Sequence, residues 1–260
     1  MFKSIFRLIV LIALLAACSD IERDNPLDPK NPDSYSETPI LIEAFVNNQL
    51  EYVEYATQAL NQIEAEFSDQ VDIIIVEYHR VHPVDTNNLD VYANPLFDGL
   101  HQDYADNYEN PKGVPDIYVN GSQGRVFGAY DINSVYYRLS PIISDLAGQQ
   151  SKYSLEVDLE TSGNQLNVDY RLARLGKESD QNLQLHVVLI KDYGIPGARR
   201  IVDKVTYPDA EFISKIDKGE YAEGSIDNIS CPNLPNYALF ALTKQGSITV
   251  LKTLKKEILW

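Results

Sequence analysis

The chain has 260 residues, 44% of them hydrophobic, and sets 22 Lys and Arg against 38 Asp and Glu for a formal charge of −16. That length allows one large domain or two ordinary ones around a buried core. The acidity disfavours contact with a phosphate backbone, so nucleic acid is not an expected partner, and it keeps a protein soluble.

Residues 1–18 read as a signal segment. Lys3 and Arg7 precede an apolar run from Leu8 to Leu15, shorter than the ~20 residues a spanning helix needs. The run ends in Leu15-Ala16-Ala17-Cys18, which resembles the lipobox of bacterial lipoproteins. The resemblance implies cleavage before Cys18, acylation of Cys18, and a lipid bilayer as partner. Acyl chains contribute about 0.8 kcal/mol per buried methylene, so several chains anchor firmly. Ser19 follows the cysteine; in the sorting rule of such proteins this favours the outer membrane, at its periplasmic face or the cell surface. Loss of Lys3 and Arg7 leaves 20 basic and 38 acidic side chains, a charge of −18. Cys231 is then the one free thiol, and no intramolecular disulfide can form.

Residues 19–38 read as a flexible Pro- and Asp-rich tether, with Asp24-Asn-Pro-Leu-Asp-Pro29 and Asn31-Pro-Asp33 supplying turn residues and almost no core formers. Asp24, Asp28 and Asp33 could bind calcium. A solvated spacer fits better, because prolines stiffen a linker without closing a coordination cage, and no metal is expected.

From residue 39 the pattern becomes globular. Pro39 to Phe45 is an apolar run of strand length, and Val53, Ala56, Leu60, Ile63 and Phe67 mark one face of a helix from Tyr52. Val71 to Tyr78 reads as a strand buried on both faces. A Pro- and Asp-rich loop runs from Val81 to Pro95, then a helix carries Leu96, Leu100, Tyr104 and Tyr108. The next stretch is Lys112-Gly-Val-Pro-Asp-Ile-Tyr-Val-Asn-Gly121. Val114, before Pro115, is driven toward extended geometry, and Asn120-Gly121 marks a hairpin between a strand at Asp116–Val119 and a partner from Arg125. Asp131 is a suitable cap for a last helix, which Pro141 should kink.

The order β-α-β-α-β-β-α, with Gly113-Val-Pro115 before a strand, resembles the thioredoxin fold. The resemblance implies a cis Val114–Pro115 bond. It also implies that Val114 and Pro115 could pair with an extended peptide. In that fold a Cys-x-x-Cys follows the first strand; here the matching positions fall near Leu50 and Val53. No cysteine lies between Ser19 and Ser230, so these are degenerate redox positions and disulfide exchange there is excluded. No catalytic residue and no cofactor is assigned. His79, His82 and His101, with Asp85, Asp90, Asp98 and Asp103 around them, could form an acid-rich metal or catalytic loop. Their spacing matches no metal motif, so loop histidines beside solvated acids are expected. The tyrosines from Tyr92 to Tyr137 read as core-edge residues that could border a glycan or peptide surface.

After residue 150 the period changes to two. Tyr153, Leu155, Val157 and Leu159, then Leu166, Val168, Tyr170 and Leu172, alternate with polar residues about a Ser162-Gly163-Asn164 turn. Leu183 to Lys191 is a third strand, with His186 on its polar side, and Arg200 to Thr206 a possible fourth. Ala210 to Lys218 reads as a short helix. Tyr237–Thr243 and Ser247–Thr253 close the chain as a hairpin. Such a strand set suggests an immunoglobulin-like sandwich. Cys231, with no histidine beside it, reads as a structural thiol.

The whole order resembles a family of bacterial outer-membrane lipoproteins with a thioredoxin-like domain (39–150) before a β-sandwich domain (151–260). It differs in lacking their cysteines. The expected function is a lipid-anchored binding or scaffold module for an unidentified protein, peptide or glycan. The alternative is an envelope enzyme using the His/Asp-rich loop.

Overall fold

The computed structural model describes residues 28–81, 90–108, 113–195, 198–206 and 209–260. The signal segment with Cys18, Asp24, His82 and Asp85 lie outside the described residues.

Two short strands open and close the first half, β1 (Ser36–Glu37) and β6 (Gln150–Ser151). Between them run β2 (Ile40–Val46), α1 (Glu51–Phe67), β3 (Ile73–His79), α2 (Leu96–Asp106), β4 (Asp116–Val119), β5 (Gly124–Phe127) and α3 (Ile132–Leu146). Each element follows its sequence signal. The apolar stripe of α1 is buried at Val53, Ala56, Leu60, Ile63 and Phe67. Asp131 caps α3 in a reciprocal box with Ser134, and Pro141 sits inside that helix. The Val114–Pro115 bond is cis.

The second half supplies β7 (Tyr153–Ser162), β8 (Gln165–Arg174), β9 (Asp180–Lys191), β10 (Ile201–Val205), β11 (Glu211–Ile216), β12 (Tyr221–Ser230), β13 (Tyr237–Lys244) and β14 (Val250–Glu257). Two readings change here. The helix expected from Ala210 to Lys218 is a strand, β11, hydrogen-bonded to β9 from Glu211↔Leu185 to Ile216↔Asp180. Ile213 and Ile216, three apart, match the helical period, but the segment is short and the open backbone groups of β9 decide for a strand. The strand β12 carries no clear sequence signal, because few of its side chains are buried. It belongs beside β8, and Gly224 lets it approach: a Cβ there would meet the Tyr170 ring at 2.5–2.8 Å.

The expected separation of sheets at residue 150 is not found. One mixed sheet runs β14-β13-β9-β10-β3-β2-β4-β5, with β11 also on β9. The two halves meet where β10 lies parallel to β3 at Ile201↔Glu77, with the Glu77 N–H donating to the Arg200 carbonyl at 2.8 Å. The continuity arises because β9 is longer than either partner on that edge. β10 takes its C-terminal half and turns toward β3, while β11 takes its N-terminal half.

The sheet's first face is covered on either side of a cleft lined by Glu64, Glu77, Arg200 and Lys255. Residues Ile42, Ala44 and Ile75 pack on α1 and α3, and Leu183, Leu185, Val187 and Leu189 pack on the three-stranded sheet β12-β8-β7. The second face carries Leu41, Phe45, Val76, Tyr78, Val188, Ile190 and Ala241, and α2 lies across part of it. The tether reading is also corrected for residues 28–38. Ser34 and Ser36 are buried, β1 pairs with β6, and the Lys152 ammonium donates to the Ser34 carbonyl at 3.1 Å. The Ser36 hydroxyl donates to the Tyr153 carbonyl and docks this segment, while the Ser34 hydroxyl donates to the Asp28 carbonyl within it.

Candidate functional site

Because α2 covers only part of the second face, a cavity of about 360 Å³ remains between the helix and the strands. Its floor combines both halves of the chain. Val188 and His186 come from β9, Ala241 and Thr243 from β13, Val250 from β14, and Glu43 and Tyr78 from β2 and β3. Leu100, Asp103 and Tyr104 of α2 form the wall, and the Gly246–Ile248 turn forms a rim.

Strand periodicity explains this lining. In β9 the residues on the opposite face fill the inter-sheet core, so His186 and Val188 must point to the cavity side. The side expected to be wet thus borders the cavity, where His186 is half-buried. His186 Nε2 lies 3.0 Å from Thr243 Oγ1, and burial lowers its pKa to about 4. The imidazole is neutral at physiological pH.

Glu43 is the strongest polar feature of the cavity. It is 3% exposed in an otherwise apolar strand. The Tyr104 hydroxyl donates to its two oxygens at 3.0 and 2.9 Å, and the Tyr78 hydroxyl at 3.2 Å. Burial raises its pKa from 4.5 to about 7, against these two hydrogen bonds. Two neutral donors do not offset the loss of water around a carboxylate.

The sequence reading did not single out Glu43. Its signal was a lone acid inside Ile-Leu-Ile-Glu-Ala-Phe-Val, where both strand faces are apolar.

The histidine cluster resolves differently from its expectation. His79 and His101 are fully buried, and each holds its own aspartate. His79 Nδ1 donates to Asp90 at 2.6 Å. Its Nε2 makes no hydrogen bond and lies 3.8 Å from Glu77 Oε2. Burial opposes protonation of His79, but Asp90 and Glu77 together outweigh it and raise its pKa. His101 Nε2 is 2.7 Å from Asp116, and its Nδ1 is 2.5 Å from Arg80 Nη1. Arginine only donates, so Nδ1 accepts, Nε2 carries the proton, and this imidazole is neutral. Asp98 is bound to Arg80 at 2.7 Å, and Asp103 borders the cavity. Asp90 and Asp98 are thus paired rather than solvated, while Asp103 is exposed at the cavity border, as expected of it. Among the described residues, no group of three or more His, Cys, Asp or Glu is arranged to hold a metal ion.

The stretch after the cis bond also gains a role. Asp116 accepts from His101, from the Tyr118 hydroxyl at 2.8 Å, and from Arg125 through both Nε and Nη2 at 2.8 Å. This fork holds β4 against β5. Val114 packs at the edge of the same aromatic cluster. Leu50 is the residue that caps α1, without a side-chain hydrogen bond, and Val53 is buried in its first turn. Of the tyrosines, Tyr104 and Tyr118 are core residues, while Tyr130 is 91% exposed.

These features define a mostly β protein with three described helices, built on one mixed sheet and enclosing a cavity with a buried acid. No family model matches the chain, and no curated protein matches it in sequence. Two solved structures are similar in fold. HBP35 of Porphyromonas gingivalis aligns with a TM-score of 0.64 at 9% identity, over 85% of this chain and 76% of that one. Protein AGR_C_4864 from Agrobacterium tumefaciens aligns with a TM-score of 0.54 at 14% identity, over 86% of this chain and 98% of that one. Alignments of that extent must include residues on both sides of residue 150. At such identities the likeness concerns fold, and function has to be argued from the site.

Proposed function

We propose that this chain is a lipid-anchored binding protein of the bacterial cell envelope, with the cavity beneath α2 as its ligand site. In this reading residues 39–150 are a thioredoxin-like unit and residues 151–260 a β-sandwich that shares its sheet. The element order β-α-β-α-β-β-α from β2 to α3 supports the first assignment. The packing of β7, β8 and β12 against β9 and β13 supports the second.

The observation that carries the proposal is the cavity itself. Small-molecule sites are concave, mostly apolar spaces of roughly 300–1,000 Å³ with a few convergent polar groups. Val188, Ala241 and Val250 give the apolar wall, and Glu43, Tyr78, Tyr104 and His186 give the polar groups. Thiol chemistry has no support. Leu50 and Val53 stand where thiols would be, and Cys231 is fully buried with its pKa raised by burial to about 11. A thiol so protonated is a poor nucleophile. The anchor rests on Leu15-Ala16-Ala17-Cys18. Among the described residues no helix is long and apolar enough to cross a membrane.

Equilibrium dialysis of the mature protein against small molecules extracted from the envelope, read by mass spectrometry, tests the site. The wild type should retain a compound that Ala241→Phe, which fills the cavity, does not. A wild type that retains nothing beyond what a folded Ala241→Phe protein retains overturns the proposal.

A further inference from the structure

The chemistry of the cavity wall restricts what can occupy it. Glu43 is buried there with only phenol donors. The groups in contact with it are Tyr78 from β3 and Tyr104 from α2, with Tyr118 across the strand pair on β4, and His186 of β9 lines the same cavity. Asp103 and Asp106 of α2 also border the cavity, and no Lys or Arg is among its described lining residues. An anionic ligand would meet three acids and no cation. A neutral ligand would leave the cost of burying Glu43 uncompensated. An ammonium would turn Glu43 into a paired carboxylate, and charge-assisted bonds are roughly twice as strong as neutral ones. The formal charge of −16 draws cations toward the whole molecule.

Building on the ligand-site reading above, we infer that the cavity takes a small organic primary ammonium with an apolar body, seated with its nitrogen against Glu43 and its carbon chain along Val188, Ala241 and Val250. Below neutrality Glu43 holds a proton. On binding, the Glu43 O–H bond breaks, the proton leaves to solvent, and the carboxylate pairs with the ligand N–H.

Isothermal titration of the mature protein with n-hexylamine, n-hexanol and hexanoate decides this. Hexylamine should bind at least about tenfold tighter than hexanol at pH 8, a difference of about 1.4 kcal/mol. Below pH 7 its affinity should fall about tenfold per pH unit, and the measured heat at pH 6 should vary with the buffer's ionisation enthalpy as one proton is released. Hexanoate should not bind. In Glu43→Gln the preference for amine over alcohol and the proton release should both vanish. Should that variant not fold, the buffer dependence of the wild type still decides. Hexanol binding as tightly as hexylamine, or amine binding without proton release at pH 6, overturns the ammonium assignment while leaving the ligand site standing. Failure of all three probes to bind overturns both.

Discussion

Two carboxylates lie on the same face of neighbouring strands and end in opposite states. Glu43 of β2 stands across from Tyr118 of β4, and Asp116 of β4 stands across from Phe45 of β2. Both acids are buried, at 3% and 0% exposure. Burial is the largest influence on each and favours the neutral acid. At Asp116 the hydrogen bonds from His101, Arg125 and Tyr118 outweigh it, and its pKa falls. At Glu43 only tyrosines answer, and the pKa rises to about 7. Depth is shared, so depth does not set the charge. A cation within reach does, and Asp116 has Arg125. One site is a closed structural joint. The other borders open space and keeps an unmet preference for positive charge.

The largest test removes the cation from the closed site. Arg125→Met should destabilise the protein by about 3–5 kcal/mol in urea at pH 7, because it strands a buried aspartate charge. A loss below about 1 kcal/mol would mean that His101 and Tyr118 suffice, and the contrast with Glu43 would collapse.

The second test follows stability against pH. Glu43 holds its proton in the folded state up to about pH 7, while in the unfolded chain it loses it near 4.5. Between those values the folded state binds more protons, so stability is fully present below pH 4.5 and falls as pH rises to 7. The loss is about 3 kcal/mol for a shift of this size. Glu43→Gln should remove that fall, seen as converging denaturation midpoints at low pH and a relative gain for the variant at pH 8. Parallel wild-type and variant profiles would refute the raised pKa. Asp116, with its pKa depressed, works the other way and loses its contribution as pH falls.

The smallest effect concerns the phenol donors. Tyr104→Phe removes the hydrogen bonds to both Glu43 oxygens. It should cost about 1 kcal/mol at pH 8 and extend the Glu43 titration to higher pH. An unchanged titration by NMR would show that Tyr78 alone sets the environment of Glu43.

Local signals carried much of the fold. The helical stripe from Val53 to Phe67, the Asn120-Gly121 turn, the Asp131 cap and the alternation from Tyr153 to Leu172 each became the element they indicate. Those features depend on neighbours a few residues away, and the chain states them directly. The absence of cysteine between Ser19 and Ser230 likewise needs no structure to exclude thiol exchange there. Tertiary structure alone decided the rest. That β10 bridges to β3, that β11 is a strand, and that residues 28–38 dock on the body depend on backbone groups left open elsewhere in the chain. His186 lines a cavity together with α2, some 80 residues earlier in the chain, a neighbour that sequence order does not reveal. The charges of Glu43 and Asp116 were equally invisible, since a carboxyl's pKa is set by what is packed against it, and sequence order does not say what that will be.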